Sequence, residues 1–332
     1  MAGKPKVAFY WCAGCGGCEE AIVDLAEDLL QVANEVDIVF WPVAMDFKKE
    51  DVETFKDGEI AVSFINGAIR TEEHNEMSFL LRKKSRLVVA FGSCAHLGGI
   101  PGLANLSDRE ELFLRLYGRQ EGIENPDNVV PKTRVERREG IITLPGVNEE
   151  VRALNQIIDV DYYIPGCAPP PNLVKDAIKT ILSGELPPEG SILAPDKTLC
   201  DECPRRESKP EKIFLKEIKR ISLVDVPQDR CFLAEGVFCM GPVTRKGCGE
   251  RCLGANMPCR GCFGPSSYVT DQGSKFLSAV SSILETDDEE EAARLSSTVL
   301  DPAGLFYMFS LPSSLGAVFK DRKNPNILKG SF

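Results

Sequence analysis

Short apolar runs and amphipathic stretches alternate along the first part of the chain. The apolar runs predict buried strands at residues 6–11, 36–41, 59–65, 86–91 and 161–164. Helices are predicted at residues 22–33, 74–84 and 173–182. In the first and last of these, apolar side chains recur every three or four positions, and Gly184 follows the last as a stop. Strands that alternate with helices predict a parallel sheet covered by helices on both faces.

The pattern fades beyond residue 195, where Gly, Pro and Arg are frequent and little apolar periodicity remains. A chain of 332 residues is long enough for two domains. We therefore predict an α/β domain over residues 1–195 and an irregular second domain over residues 196–332. The second domain is expected to lack a conventional hydrophobic core and to gain folding free energy from bound metal.

Charge and composition narrow the class of protein. The net charge of −11 disfavours nucleic-acid binding, which requires a basic face. The chain contains no apolar run of about 18 residues, so no membrane span is expected. Residues 1–7 lack the apolar segment of a secretory signal and a twin-arginine pair. We therefore expect a cytoplasmic protein.

Cysteine is the residue type that departs most from ordinary composition, with thirteen copies. In a cytosolic chain of this length, clustered cysteines indicate metal ligands rather than a disulfide framework. Five lie in the first half of the chain and eight crowd between residues 200 and 262, which predicts two kinds of site. The positions are 12, 15, 18, 94, 167, 200, 203, 231, 239, 248, 252, 259 and 262.

In the first half, the cysteines follow the ends of predicted strands. Cys15 and Cys18 come after the first strand, Cys94 after the strand at residues 86–91, and Cys167 after the strand at residues 161–164. In a doubly wound sheet these loops emerge at one edge, so the thiols are expected to meet there. Neighbouring glycines allow close approach of the backbone, and four thiolates are what a 4Fe–4S cluster requires.

Two simpler interpretations apply to these residues. An isolated cysteine such as Cys94 or Cys167 is commonly a small buried hydrophobic residue. The first Cys-x-x-Cys pair could also be a redox-active dithiol, although a Gly-Gly spacer and a third nearby cysteine fit that poorly. Because all these thiols are expected at one sheet edge, metal binding is the favoured interpretation.

The eight later cysteines form two Cys-x-x-Cys pairs and two wider pairs, enough for two sets of four ligands. Tetrahedral zinc is the main alternative, because zinc sites with four cysteines use the same Cys-x-x-Cys spacing. The separations between Cys231 and Cys239 and between Cys248 and Cys252 are unlike those of two zinc ribbons. Iron–sulfur clusters are therefore favoured here as well.

Three motifs, taken in order, resemble those of nickel–iron hydrogenase small subunits: CGGCEE at residues 15–20, GSCAHLGG at residues 92–99 and PGCAPPP at residues 165–171. The resemblance is greatest to the cytoplasmic methyl-viologen-reducing type, associated with heterodisulfide reductase, and to sulfhydrogenase delta subunits. It covers nearly the whole chain. It implies a flavodoxin-like first domain and a second domain organised by iron–sulfur clusters.

The resemblance also implies three 4Fe–4S clusters and their ligands. The proximal cluster would be held by Cys15, Cys18, Cys94 and Cys167. The medial cluster would be held by Cys248, Cys252, Cys259 and Cys262, and the distal cluster by Cys200, Cys203, Cys231 and Cys239. The medial and distal labels could be exchanged. Membrane-type relatives have histidine in place of Cys200, and relatives with a three-iron medial cluster have proline in place of Cys252.

Cys12 is left over from these three sets. It forms an overlapping Cys-x-x-Cys pair with Cys15, so the first pair could be 12/15 instead of 15/18. Only the 15/18 register places Glu19 and Glu20 as the family motif does, which leaves Cys12 as a packed thiol or a residue beside the cluster. Glu20 resembles an acidic position near the subunit interface and the proximal cluster; alternatively, it is a solvated glutamate in the first turn of a helix.

Three further segments have simpler expectations. His96 is interpreted as a packing residue or one beside the cluster, and the acidic run at residues 287–291 as a solvated helix start. The basic region at residues 125–140 is expected to be a solvent-exposed insertion. The apolar stretch at residues 305–311 is either a docking surface or a segment packed against the first domain.

The function implied is that of an oxidoreductase subunit without catalytic residues of its own. Hydrogen oxidation would take place at a nickel–iron site on a large subunit. This chain would relay the electrons to a ferredoxin-like or flavin-containing subunit, linked in some complexes to heterodisulfide reductase. The alternative is an electron-transfer subunit of a non-hydrogenase redox complex whose large subunit lacks nickel. No nucleotide-phosphate fingerprint is found in the glycine-rich loop at residues 14–17.

Overall fold

A computed structural model describes residues 3–118, 122–284, 286 and 288–317. Its strands are β1 (Lys6–Trp11), β2 (Asp37–Phe40), β3 (Ile60–Asn66), β4 (Ile69–Thr71), β5 (Ser85–Phe91), β6 (Arg134–Arg137), β7 (Gly140–Thr143), β8 (Val147–Arg152) and β9 (Tyr162–Ile164). Its helices are α1 (Gly17–Val23), α2 (Glu27–Glu35), α3 (Lys49–Glu53), α4 (Glu72–Lys84), α5 (Ser93–Leu97), α6 (Arg109–Tyr117), α7 (Pro171–Ser183), α8 (Arg251–Gly254), α9 (Gln272–Ser281), α10 (Glu289–Ser297) and α11 (Pro302–Phe306).

Five of the strands form one parallel sheet in the order β2–β1–β3–β5–β9. Counted along the chain, this is the order 2-1-3-4-5 of flavodoxin-like folds. All five predicted strands are present, with bounds that differ from the prediction by at most one residue at either end. The prediction of an α/β fold with a parallel sheet is confirmed.

Alternate side chains of β1 point to the two faces of the sheet and enter two different hydrophobic cores. Val7 and Phe9 pack with residues of α1 and α7. Ala8 and Tyr10 pack with residues of α4 on the other face. The sheet is therefore buried on both sides, and its carboxyl edge remains for the loops that carry the cysteines.

The prediction of a single helix at residues 22–33 is wrong, because the chain forms two helices, α1 and α2, over this stretch. Ala26 between them has a φ of 51°, which a regular right-handed helix cannot accommodate. Ile22 and Leu25 reach the core, whereas Leu30 in α2 is 67% exposed. The apolar periodicity therefore continues across a real break in the backbone.

The expectation that the second domain lacks a conventional core is also wrong. A third hydrophobic core draws its buried side chains from loops such as residues 232–240 and from helices α9 and α11. Phe238, Phe276 and Phe306 form a cluster of rings with centroids about 6 Å apart. Periodicity did not reveal this core, because most of its members come from short loops without a repeating pattern.

The apolar stretch at residues 305–311 leads back to the first domain. The N–H of Gly99 donates to the carbonyl of Phe309, and the side chain of Gln156 donates to the carbonyl of Pro312 at 2.7 Å. A Cβ at Gly98 would lie 2.3 Å from the Pro312 ring, so the two segments are in close contact. Of the two expectations for this stretch, packing against the first domain is confirmed.

The remaining elements lie outside the central sheet. Strands β6 and β7 form a hairpin in the basic insertion, where the structure shows almost every residue from 125 to 140 exposed, as predicted. The acidic run begins at Asp287, which lies outside the described residues; Asp288 caps α10 and Glu289–Glu291 form its exposed or half-exposed first turn. None of the helices described is both long and apolar enough to cross a bilayer.

Candidate metal centres

The four thiols predicted for the proximal site line one cavity at the carboxyl edge of the sheet. Cys15 and Cys18 lie in the loop after β1 and in the first turn of α1, and Cys94 lies in α5 after β5. Cys167 follows β9. Cys15 and Cys167 are exposed and the other two are partly buried, so the cavity is open on one side.

The cavity depends on the absence of a side chain at two glycines, Gly92 and Gly99. A Cβ at Gly92 would lie 2.3 Å from Sγ of Cys18, and a Cβ at Gly99 would lie 2.4 Å from Sγ of Cys94. Both residues have positive φ angles, 85° and 57°, which side chains rarely adopt. Glycine is therefore required at both positions for two of the thiols to face the cavity.

Burial raises the pKa of three of these thiols, those of Cys18, Cys94 and Cys167. It raises the pKa of Cys94 to about 12, with an added contribution from the neighbouring thiols of Cys167 and Cys15. Burial also raises the pKa of Cys167, and it drives that of Cys18 well above the usual range. A metal group that binds these three cysteines as thiolates must therefore displace their protons.

Glu19 lies beside this cavity, whereas the sequence motif had pointed to its neighbour Glu20. Glu19 is 5% exposed, and its carboxylate accepts hydrogen bonds from Nε1 of Trp41 and Nδ2 of Asn66, both at 2.5 Å. Asn66 itself lines the cavity. Burial raises the pKa of Glu19, and the two donors oppose that rise. Glu20 is exposed, which is compatible both with a solvated first-turn residue and with a position at a subunit interface.

The variant Glu19→Gln is expected to lose about 1–3 kcal/mol of stability. A glutamine amide has one oxygen and one donating nitrogen, so one of the two N–H groups from Trp41 and Asn66 would face another donor. Glu20→Gln is the matched control, because it removes an exposed neighbouring charge and should change stability by less than about 0.5 kcal/mol. The measurement is the thermal-unfolding midpoint of the two variants; equal midpoints would contradict the role assigned to Glu19.

A second cavity lies in the second domain and is lined by all four thiols predicted for the distal site. They come from two short loops, with Cys200 and Cys203 in one and Cys231 and Cys239 in the other. Burial raises the pKa of Cys200 to about 12 and that of Cys239 to about 11. A Cβ at Gly241 would lie 3.1 Å from Sγ of Cys200, so glycine again leaves room beside a thiol.

The remaining set, Cys248, Cys252, Cys259 and Cys262, lies between the two cavities. The pKa of Cys262 is raised to about 12 by burial and by the nearby thiols of Cys167, Cys252 and Cys248. At the other end, the N–H of Cys259 donates to Sγ of Cys239 at 3.3 Å. One thiol of this set thus neighbours the proximal site and another neighbours the distal site.

Cys12 belongs to none of the three sets of thiols. It is 5% exposed and packs in the second core with Tyr10 and Met77, which raises its pKa well above the usual range. His96 is buried against Tyr163, with ring centroids 4.8 Å apart, and burial together with the charge of Arg245 lowers its pKa to about 4. Both residues therefore match the prediction of packing residues.

The thiols of the proximal and distal sets each line a cavity. Across the part of the chain that the structure describes, no three His, Cys, Asp or Glu side chains are arranged to hold a single metal ion. A zinc ion would draw its four sulfurs to about 2.3 Å from one point. Each of the two cavities is lined by four thiols, which is the ligand set of a 4Fe–4S cluster.

Comparison with known proteins identifies the family. Residues 15–181 match the family model described as NADH ubiquinone oxidoreductase, 20 Kd subunit. The chain is 37% identical to an iron–sulfur subunit of the F420-non-reducing hydrogenase of Archaeoglobus profundus, over 93% of this chain and 97% of that one. It is 36% identical to the corresponding F420-non-reducing hydrogenase subunit of Methanothermobacter thermautotrophicus, over 95% of this chain and 97% of that one. The chain belongs to the nickel–iron hydrogenase small-subunit family.

Among solved structures, the chain is similar to part of an NAD+-reducing NiFe hydrogenase in its H2-reduced state, with 29% identity and a TM-score of 0.47. That match covers 55% of this chain and 92% of the other. As a hydrogenase small subunit, the chain is part of an oxidoreductase in which catalysis takes place on a partner. Family membership implies a large subunit in a heteromeric complex and iron–sulfur clusters on this chain.

Proposed function

We propose that this hydrogenase small subunit is cytoplasmic and carries three 4Fe–4S clusters, which pass electrons from hydrogen oxidation on a nickel–iron large subunit to a further subunit. The observation that carries the proposal is the succession of the three sets of thiols. Cys167 of the first set neighbours Cys262 of the second, and the backbone of Cys259 in the second donates to Sγ of Cys239 in the third.

The proposed ligands are those expected from the resemblance. Cys15, Cys18, Cys94 and Cys167 hold the proximal cluster, which belongs to the domain formed by residues 1–195. Residues 196–332 hold the other two. The intermediate position of the set that contains Cys259 and Cys262 supports the medial label for it, and so the distal label for the set that contains Cys200 and Cys239.

The residues of this chain hold the clusters in three ways. Their thiolates are the ligands, and glycines such as Gly92 keep side chains out of the cavity. The hydroxyl of Ser93 donates to the carbonyl of Cys262, which fixes the loops of two neighbouring sets relative to each other. When bound, the clusters would supply one-electron carriage.

We place one partner subunit at each end of the row formed by the three sets of thiols. The large subunit would cover the open side of the proximal cavity, where Cys15 and Cys167 are exposed. A ferredoxin-like or flavin-containing subunit, of the kind linked to heterodisulfide reductase, would accept electrons from the distal end. The relatives are subunits of F420-non-reducing hydrogenases, and we extend to this chain only the hydrogenase part of that activity.

The test is to isolate the complex anaerobically through a tag on this chain. We expect a co-purifying large subunit with nickel, and reduction of methyl viologen that depends on hydrogen. A complex without nickel and without this activity would refute hydrogen as the electron source, even if the clusters were present.

One observation favours a second candidate, an electron-transfer subunit of a redox complex without nickel. The family model that matches residues 15–181 is named for a subunit of NADH ubiquinone oxidoreductase. Nickel content of the same preparation separates the two candidates, because both predict the same iron content for this chain.

A further inference from the structure

Arg205 is a fully buried arginine beside the distal thiols. It lies two residues after Cys203, is 2% exposed and lines the same cavity as the four proposed distal ligands. Its guanidinium carbon is 4.2 Å from the centre of the Phe232 ring. A buried cation normally requires a nearby negative charge, because removal of an ion from water is unfavourable.

The hydrogen-bond partners of Arg205 are all neutral. Its guanidinium donates to the backbone carbonyls of Pro227 and Arg230, both at 2.9 Å, and to Oδ1 of Asn256 at 2.5 Å. Asn256 is held in this orientation because its Nδ2 donates to the carbonyl of Val226. Nε of Arg205 has no partner, and no carboxylate among the described residues forms an ion pair with the guanidinium.

Arg245, a second deeply buried arginine among the described residues of the second domain, shows the usual arrangement. It is 4% exposed, but its guanidinium forms an ion pair with Asp196 at 2.9 Å. The charge of Arg205 is therefore balanced by something other than a described carboxylate. The nearest candidates are the four thiols with which it shares the cavity.

Lys209 also lines this cavity, but it is exposed to solvent, whereas Arg205 is buried. We propose that Arg205 is the buried counter-cation of the distal cluster and raises its reduction potential. The inference rests on the proposed cluster at Cys200, Cys203, Cys231 and Cys239. A 4Fe–4S cluster with four thiolates is negative when oxidised, and it carries one further negative charge when reduced. A fixed positive charge beside it stabilises the reduced form more than the oxidised form, since net charge and hydrogen bonds to sulfur set these potentials.

The step that Arg205 favours is the transfer of one electron. The medial cluster is oxidised by one electron and the distal cluster is reduced by the same electron. No proton moves with it, because arginine keeps its proton throughout. The cavity of the proximal set has no lysine or arginine among its lining residues in the described chain, so a proximal cluster would lack this stabilisation.

The experiment is a redox titration of the anaerobic complex, followed by electron paramagnetic resonance, with Arg205→Gln and Arg205→Lys. The distal signal is identified as the one that Cys200→Ala removes. In Arg205→Gln we expect the equilibrium constant for reduction of that cluster to fall at least about tenfold, which is 59 mV for one electron. Arg205→Lys keeps the charge, so the same equilibrium constant should stay within about threefold of the wild-type value.

The matched control is Arg245→Gln, which removes a buried arginine whose charge Asp196 already balances. In this variant the equilibrium constant for reduction of the distal cluster should stay within about threefold of the wild-type value. The control therefore separates a general effect of losing a buried arginine from the effect of the charge of Arg205.

Three results would overturn the inference. The first is an unchanged distal potential in Arg205→Gln with full iron content. The second is a tenfold fall in the equilibrium constant for reduction of the distal cluster in Arg205→Lys. The third is loss of the distal irons in the same variant, because the charge is retained there. If Arg205→Gln does not assemble, Arg205→Met replaces it as the variant that removes the charge but fills the space, and the same tenfold fall is expected. Lack of iron in the wild-type complex would instead refute the proposed function.

Discussion

Cys18→Ala is expected to lose about four irons per chain and to reduce hydrogen-dependent dye reduction by more than about a hundredfold. Cys18 lies in the cavity with Cys15, Cys94 and Cys167, and alanine offers no atom that could replace the thiolate. Because the lost cluster is the one proposed to face the large subunit, electrons would have no entry to the rest of the row.

Cys12→Ala is the matched control for this prediction. Cys12 follows the same strand, but it is a buried thiol that packs in the second core away from the lining of the cavity. It should retain about twelve irons and most of the activity, with only a modest loss of stability from the smaller side chain. Loss of four irons in Cys12→Ala together with full iron in Cys18→Ala would establish the 12/15 register and contradict our assignment. The measurement is iron per chain in the anaerobically purified complex.

Gly92→Ala is expected to have nearly the same effect without removal of any ligand. The added Cβ would lie 2.3 Å from Sγ of Cys18, and the φ of 85° at this residue opposes any side chain by about 1–2 kcal/mol. The thiol and the methyl group cannot both keep their places, so the proximal cluster should be lost or lose one ligand. Iron content and the paramagnetic signal of the reduced proximal cluster measure this directly.

Gly254→Ala is the control for the glycine substitution. Gly254 lies two residues after Cys252, but a Cβ there has no neighbour within 4 Å and the φ angle is not positive. This variant should keep all its iron. A Gly92→Ala protein with unchanged iron and an unchanged signal would show that the cavity is not where the cluster binds.

The proximal site could be predicted from the sequence because topology determines it. Once residues 6–11, 86–91 and 161–164 are recognised as parallel strands, the cysteines after them must emerge at one edge. The break at Ala26 was not predictable in the same way, since apolar side chains recur with helical spacing on both sides of it. Nor was the third core, because its phenylalanines are separated by loops that have no period.

The choice between neighbouring residues needed the structure. Glu19 and Glu20 are both glutamates, so residue type does not distinguish them. Because α1 begins at Gly17, the side chain of Glu19 points inward to Trp41 and Asn66. Arg205 is one of two adjacent arginines in the sequence, and Arg206 next to it is exposed. The sequence shows two cations after Cys203, but which of them is buried depends on the loops that supply carbonyls from residues 227 and 230.

The three-cluster relay is tested most sharply by iron and acid-labile sulfide in the anaerobically isolated complex, with zinc determined on the same sample. Three 4Fe–4S clusters predict about twelve irons and about twelve sulfides per copy of this chain, after subtraction of the iron on partner subunits, and little zinc. A colourless protein with zinc at the cysteine sites and little iron would contradict the relay.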